Sequence, residues 1–181
     1  MRITTGKYRN RKIQMPRGIR PTQDKVRKAV FDILGDISGL TFLEIFAGSG
    51  AVGLEALSRG ASQLVIVESD RDAILTIKKN IELLKAPGCN LYHLEADKAV
   101  KLLSLDKKQF DIIFIDPPYL KDMAKKILQT LEGYDILAPH GLMVIQHSKA
   151  ELLFESLKFE LIKEARYGDT RLSIFRKKGL L

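Results

Sequence analysis

Asp116-Pro117-Pro118-Tyr119 closes the apolar run Phe110-Asp111-Ile112-Ile113-Phe114-Ile115, which has the pattern of a buried strand. Each proline fixes its own φ and pushes the residue before it towards extended geometry, so the loop is rigid. It offers a carboxylate, a carbonyl released from secondary structure, and an aromatic face. An exocyclic amine on a flat base is a poor nucleophile, because its lone pair is delocalised into the ring. To attack a methyl group in line, that nitrogen must move towards tetrahedral geometry. Acceptors aimed at its two hydrogens favour the change more in the transition state than in the ground state. Asp116 and the Pro117 carbonyl supply such acceptors, and Tyr119 supplies a stacking surface worth about 1–3 kcal/mol per base. A plain strand-ending turn uses prolines in the same way. The loop therefore takes its meaning from what surrounds it.

A second cluster stands upstream. Gly48-Ser49-Gly50-Ala51-Val52-Gly53 follows a strand-like run and opens a helix-like one, with Glu68 fifteen residues after Gly53. This spacing meets the dinucleotide fingerprint in form. Glu44 argues against a dinucleotide, since a carboxylate two residues before the turn residue Phe46 would repel a pyrophosphate. S-adenosylmethionine presents a sulfonium, an ammonium and one carboxylate, and no phosphate. Glu44 then helps to hold the ammonium, Gly48 and Gly50 let the backbone around Ser49 approach the methionyl portion, and Glu68 takes the ribose hydroxyls. Glu44 satisfied by nearby backbone N–H groups is the plain structural alternative. Asp97 is placed to accept from the adenine amino group, or to cap the helix expected from Lys98, or both.

The elements that must position these residues follow from periodicity. Pro21-Thr22 opens a helix in which Val26, Val30, Ile33, Leu34 and Ile37 recur at helical spacing, ended by Gly35 or Gly39. Strands are expected over residues 41–46, 63–67, 90–94, 110–115 and 142–146, and helices over 51–58, 71–85, 98–103, 122–132 and 150–156. Two late strands, 159–165 and 171–176, flank the turn Tyr167-Gly168-Asp169 as a hairpin. Strands alternating with helices imply a doubly wound α/β domain, and the hairpin makes its sheet mixed. Glycine loop, Glu68, Asp97 and proline loop all fall at carboxyl ends of strands, where such folds bind ligands.

The 181 residues suit one domain: a basic arm to residue 20, a leading helix over 21–38 and a core from 39 to 181. Thirty Lys and Arg against 22 Asp and Glu give a net charge of +8. The excess is concentrated early, in Arg2, Lys7, Arg9, Arg11, Lys12, Arg17, Arg20, Lys25, Arg27 and Lys28, opposed only by Asp24. With Tyr8 interleaved, that arm points to a nucleic-acid partner rather than a merely soluble tail. Cys89 is the only cysteine and the three histidines show no ligand spacing, so no metal is expected. No apolar leader or membrane-length run is present, and a cytoplasmic monomer is expected.

With these residues assembled, the chain resembles the RsmD-type 16S ribosomal RNA guanine-N2 methyltransferases. The densest likeness lies in Arg20-Pro21-Thr22 with Asp24, Val26 and Arg27, in the stretch from Phe46 to Ala61, and in Asp116–Tyr119. The resemblance implies a class I methyltransferase fold with a seven-stranded, Rossmann-like sheet and an S-adenosylmethionine donor. It implies N2 methylation of one guanine in 16S ribosomal RNA, presented on a small-subunit particle. It places Arg20, Thr22 and Arg27 on the substrate side, beside the RNA-facing Arg9 and Arg11 of the arm. Two departures are visible: Glu44 stands where Asp is frequent, and Gln146 stands before His147-Ser148 where Glu is common. The first preserves charge. The second removes one at the rim of the site. A DNA adenine-N6 or cytosine-N4 methyltransferase uses a similar loop, but no segment reads as a DNA-recognition domain. A catalytically silent RNA-binding module would not need the intact loop.

Overall fold

Apolar residues run almost unbroken along the central strands and recur every three to four residues on the helices, so the chain buries two helical layers against one sheet. The computed structural model describes residues 1–16, 18, 24–119, 122–153 and 156–179. In order they form α1 (Asp24–Leu34), β1 (Thr41–Ile45), α2 (Ala51–Ser58), β2 (Gln63–Glu68), α3 (Arg71–Leu84), β3 (Cys89–His93), α4 (Ala96–Leu105), β4 (Phe110–Ile115), α5 (Met123–Gly133), β5 (Leu137–Ser148), β6 (Phe159–Tyr167) and β7 (Thr170–Lys177). The seven strands lie in the order β3-β2-β1-β4-β5-β7-β6. All neighbours are parallel except those made by β7, which runs antiparallel to β5 and β6. Gly168 and Asp169 form the two-residue turn joining β6 to β7, with Gly168 at φ 62°. Winding reverses between β1 and β4, which opens a crevice at their carboxyl ends. Among the described residues, no helix is long and apolar enough to cross a membrane.

Phe42, Phe114, Val144 and Ile174 face α1, α2 and α3, whereas Leu43, Ile45, Ile113, Ile145 and Phe175 face α4 and α5. That alternation decides which way the residues at the strand ends point. Two expected elements differ. The helix expected over 150–156 is absent from its described part: the Ala150 N–H donates to Ser148 Oγ, and Glu151 donates to the Ser148 carbonyl. Glu151 also accepts from the Lys125 N–H at the start of α5. These turn bonds outcompete so short a helix, which has little stability of its own. Helix α4 begins at Ala96 rather than Lys98, with Glu95 as its N-cap.

The amino-terminal segment is no loose arm. Arg2 and Lys12 form an antiparallel bridge, and Ile3, Tyr8 and Ile13 are buried in the core between α1, α2 and α3. Its turn docks on the carboxyl end of α2, where Lys7 N–H donates to the Ser58 carbonyl (2.8 Å) and Tyr8 N–H to Ser58 Oγ (2.8 Å). Gly6 has φ +79°, and a Cβ there would stand 1.7 Å from the Ser58 carbonyl oxygen. Gly6→Ala is therefore expected to destabilise the fold by about 2–4 kcal/mol, read as a fall in the urea midpoint. A midpoint unchanged from wild type would show that the turn does not dock in this way.

Glu55 anchors the same segment. It is fully buried and accepts from Thr4 N–H (2.7 Å), Thr4 Oγ1 (2.7 Å), Thr5 N–H (3.0 Å) and Arg59 Nε (3.0 Å). Arg27 lies 3.9 Å from it, pairs with Asp24 at 2.9 Å, and donates to the Arg2 carbonyl at 2.8 Å. The guanidinium of Arg27 is only 1% exposed. The substrate-side role expected for Arg27 is thereby corrected: its charge is committed to Glu55 and Asp24 inside the fold, out of reach of RNA.

Candidate active site

β1 delivers Glu44 and β2 delivers Glu68 to the carboxyl edge of the sheet, beside Asp116 at the end of β4. The Asp116 N–H donates to the Ile45 carbonyl at 3.3 Å, which ties the proline loop to β1. Phe46, Gly48 and Gly50 all hold left-handed backbone (φ 61°, 56° and 71°), folding the chain sharply from β1 into α2. For a bulky residue such as Phe46 this conformation is costly, as is frequent at binding turns. Ser49 is buried, and its carbonyl accepts from Asn80 Nδ2 at 3.0 Å. Asn80, fully buried on α3, also accepts from Gln14 N–H (2.7 Å) and donates to the Gln14 carbonyl (3.0 Å). It links the amino-terminal segment to the glycine loop. The sequence reading passed over it, although a lone amide on the otherwise apolar face of Ile74, Ile77, Ile81 and Leu84 was a usable signal.

Glu44 is 2% exposed, and its Oε2 accepts from the Gly53 N–H at 2.9 Å. Gly53 makes this approach feasible, since a Cβ there would lie 2.7 Å from that oxygen and 2.6 Å from Leu64 Cδ1. Gly50 caps α2 without a side chain, so Glu44 supplies the acceptor that the helix start lacks. The backbone alternative for Glu44 is thus realised, and it carries a consequence. The helix N-terminus, where a dinucleotide would set its pyrophosphate, is already occupied by the Glu44 side chain.

Burial pushes the Glu44 carboxyl up from 4.5 to about 8, against the Gly53 and Val52 N–H groups and with the charges of Asp116 and Glu68 adding to the rise. Because the folded value lies above the unfolded one, the native state holds the extra proton between those two values. Stability is fully present below about pH 4.5, falls as pH rises, and levels off near pH 8. The slope approaches about 1.4 kcal/mol per pH unit. Urea midpoints measured from pH 5 to 8 should show this fall, and Glu44→Gln should flatten it. Equal slopes in both proteins would refute the assignment.

Glu68 accepts from three backbone N–H groups: Gly48 (2.8 Å), Ser69 (2.7 Å) and Asp70 (2.9 Å). It clamps the glycine loop to β2 and keeps acceptor capacity for one further donor. Asp97 is not at the strand end. It lies in the first turn of α4, exposed, and lines an outer groove with Lys98, Lys101, Gln129, Thr130, Gly133 and Tyr134. The expected position is occupied by Glu95, whose side chain makes no cap hydrogen bond. The slip arose because α4 starts two residues earlier than periodicity indicated.

Pro117 is buried, while Tyr119 is 47% exposed with its hydroxyl bonded to Thr170 Oγ1 (3.0 Å) and to Gln146 Nε2 (3.3 Å). Those bonds hold the ring at the mouth of the crevice. Arg9 and Arg11 are exposed, and Arg11 donates to the Leu83 carbonyl in the last turn of α3. That turn lies about 18 Å along the helix from the α3 start, at the pole of the sheet opposite the crevice. Arg20 and Thr22 fall outside the described residues. Burial raises the Cys89 thiol to about 12, so it stays protonated and is no nucleophile.

Comparison with known proteins agrees with this geometry. The family model described as "Conserved hypothetical protein 95" matches residues 1–176. Ribosomal RNA small subunit methyltransferase D of Escherichia coli is 35% identical over 149 residues, covering 81% of this chain and 74% of that protein. YlbH of Bacillus subtilis is 33% identical over 184 residues, covering 99% and 100%. A solved structure from Escherichia coli superposes with a TM-score of 0.88 at 30% identity, covering 98% of each chain. The chain belongs to the RsmD-type family of small-subunit ribosomal RNA methyltransferases.

Proposed function

We propose that the protein transfers a methyl group from S-adenosylmethionine to the exocyclic N2 of one guanine in 16S ribosomal RNA, presented on a small-subunit particle in the cytoplasm. The observation that carries this reading is the placing of Glu44, Glu68 and Asp116 at the carboxyl ends of the paired strands β1, β2 and β4, around one crevice. The charges of Glu68 and Asp116 attract a cationic ligand and repel a polyphosphate, and a bound cation favours loss of the Glu44 proton. The donor set therefore fits S-adenosylmethionine, which supplies an already activated methyl on a positive sulfur.

The chain's own residues do the rest. Glu44 accepts a hydrogen bond from the ammonium end, Glu68 turns its remaining acceptor to the ribose hydroxyls, and Glu95 takes the adenine amino group. Asp116 and the Pro117 carbonyl accept from the two hydrogens of the target amine, and Tyr119 stacks on the base. The target base must leave its stack to reach them. Positioning and electrostatics supply the catalysis, since the nucleophile needs orientation more than a strong base. Arg9 and Arg11, far from the crevice, bind phosphates of RNA segments away from the target base. Their contribution should appear as salt dependence. Arg9→Glu with Arg11→Glu should reduce the slope of log affinity against log salt by about 0.7–0.9 per lost contact, and an unchanged slope would exclude them.

The direct test incubates labelled S-adenosylmethionine with small-subunit particles lacking the modification. Label recovered as N2-methylguanine supports the proposal. Donor binding without label in guanine rejects it, and label in adenine or cytosine of duplex DNA would assign the loop to DNA instead.

A further inference from the structure

Gln146 stands at the carboxyl end of β5, one residue beyond the pair Ile115↔Ile145, and is therefore the strand neighbour of Asp116. Ile115 and Ile145 point to the α4–α5 face, so Asp116 and Gln146 point to the other, above Phe114 and Val144. The side chain is 5% exposed. Its Nε2 donates to the Tyr119 hydroxyl at 3.3 Å, yet its Oε1 is a buried acceptor with no hydrogen-bond partner among the described residues. Buried side-chain oxygens are rarely left so, because an unpaired one forfeits its bonds to water with no return. The partner of its Nε2 is the half-exposed Tyr119, the same ring that stacks on a base in the proposed reaction.

We propose that Gln146 is the residue that selects guanine, with its Oε1 accepting from the N1–H of the target base; this rests on the guanine-N2 reading above. An amine held at Asp116 places the adjoining ring nitrogen next to the strand neighbour of Asp116. In guanine N2 stands between N3, an unprotonated acceptor, and N1, which carries a hydrogen, so Gln146 meets a donor when the N1 edge of the base faces it. In adenine the nitrogen beside N6, and in cytosine the nitrogen beside N4, is an unprotonated acceptor. A buried carbonyl oxygen pairs with the first and repels the other two. The Asp116–Tyr119 loop alone fits any of these amines, so the discrimination must come from a neighbour, and Gln146 is the neighbour with an unused acceptor. The Nε2 bond to Tyr119 gives the same side chain a hold on the stacking ring.

The probe is 2-aminopurine, which keeps the 2-amino group but has no hydrogen on N1. Particles are reconstituted with 16S RNA carrying guanine or 2-aminopurine at the methylated position, and kcat/KM is measured for each. Wild type should prefer guanine by about 10–100-fold. In Gln146→Leu the preference should collapse towards unity, and in Gln146→Glu, which offers only acceptors, it should persist. Binding of S-adenosylmethionine checks that each variant is folded. If Gln146→Leu is inactive on both substrates, Gln146→Met, which keeps the side-chain length and also lacks the acceptor, is measured in its place with the same expectation. An undiminished preference in Gln146→Leu, a lost preference in Gln146→Glu, or no preference in wild type overturns the inference. Absence of guanine methylation by wild type would instead reject the function on which it rests.

Discussion

Asp116→Ala should lower the rate of methyl transfer by about 10²–10³-fold, with binding of S-adenosylmethionine retained. The magnitude is that of removing one preorganised hydrogen-bonding group from a site where charge develops. The carboxylate accepts from an amine hydrogen whose acidity grows as the nitrogen attacks, so its benefit is concentrated in the transition state. The loop itself should survive the change. Its conformation is set by Pro117 and Pro118, and its join to β1 is the Asp116 backbone N–H to the Ile45 carbonyl. A second consequence follows from the charges. Removing Asp116 deletes one of the groups that raise Glu44, so the Glu44 carboxyl should ionise at lower pH in the variant. Single-turnover rates would test the first part, and the pH dependence of the urea midpoint the second. Activity within tenfold of wild type would remove Asp116 from the catalytic set.

The largest stability effect belongs to Glu55, which lies far from the chemistry. Glu55→Ala would leave Arg27 a buried cation with one partner fewer, and would strip the acceptor from Thr4 N–H, Thr5 N–H and Arg59. Breaking one side of such a buried pair costs about 3–5 kcal/mol. The loss should appear as a fall in the urea midpoint and as early proteolytic release of the amino-terminal segment. Because that segment reaches the glycine loop through Gln14, Asn80 and the Ser49 carbonyl, donor affinity should fall as well. A variant as stable as wild type would mean that the clasp contributes little.

Much of this architecture was readable from local pattern. Strand and helix periods gave the alternation, Tyr167-Gly168-Asp169 gave the hairpin, and the glycine and proline loops marked the strand ends. Sequence reading failed where tertiary contacts overrule composition. The amino-terminal residues look like a charged arm because charges dominate them, yet Ile3, Tyr8 and Ile13 carry the packing. Arg27 looks like one more basic residue and proves to be the buried partner of Glu55. The signal for Glu55 was present: a lone carboxylate inside Ala51-Val52-Gly53-Leu54-Glu55-Ala56-Leu57-Ser58, a helix otherwise apolar enough to be buried all round. Asp97 reads as a strand-end acceptor because helix starts are the least certain part of a periodicity reading, and with α4 beginning at Ala96 it stands in the first turn of that helix. The orphaned oxygen of Gln146 has no sequence signature. It depends on the register of β4 against β5 and on the position of the Tyr119 hydroxyl.

The claim that joins these observations is that the crevice between β1 and β4 methylates N2 of guanine in small-subunit RNA. The most direct measurement is nucleoside mass spectrometry of 16S RNA from cells lacking the protein, complemented with wild type or with Asp116→Ala. The account predicts that N2-methylguanosine is lost at one position, restored by wild type, and not restored by Asp116→Ala. Unchanged N2-methylguanosine in cells without the protein, or full restoration by Asp116→Ala, would contradict it.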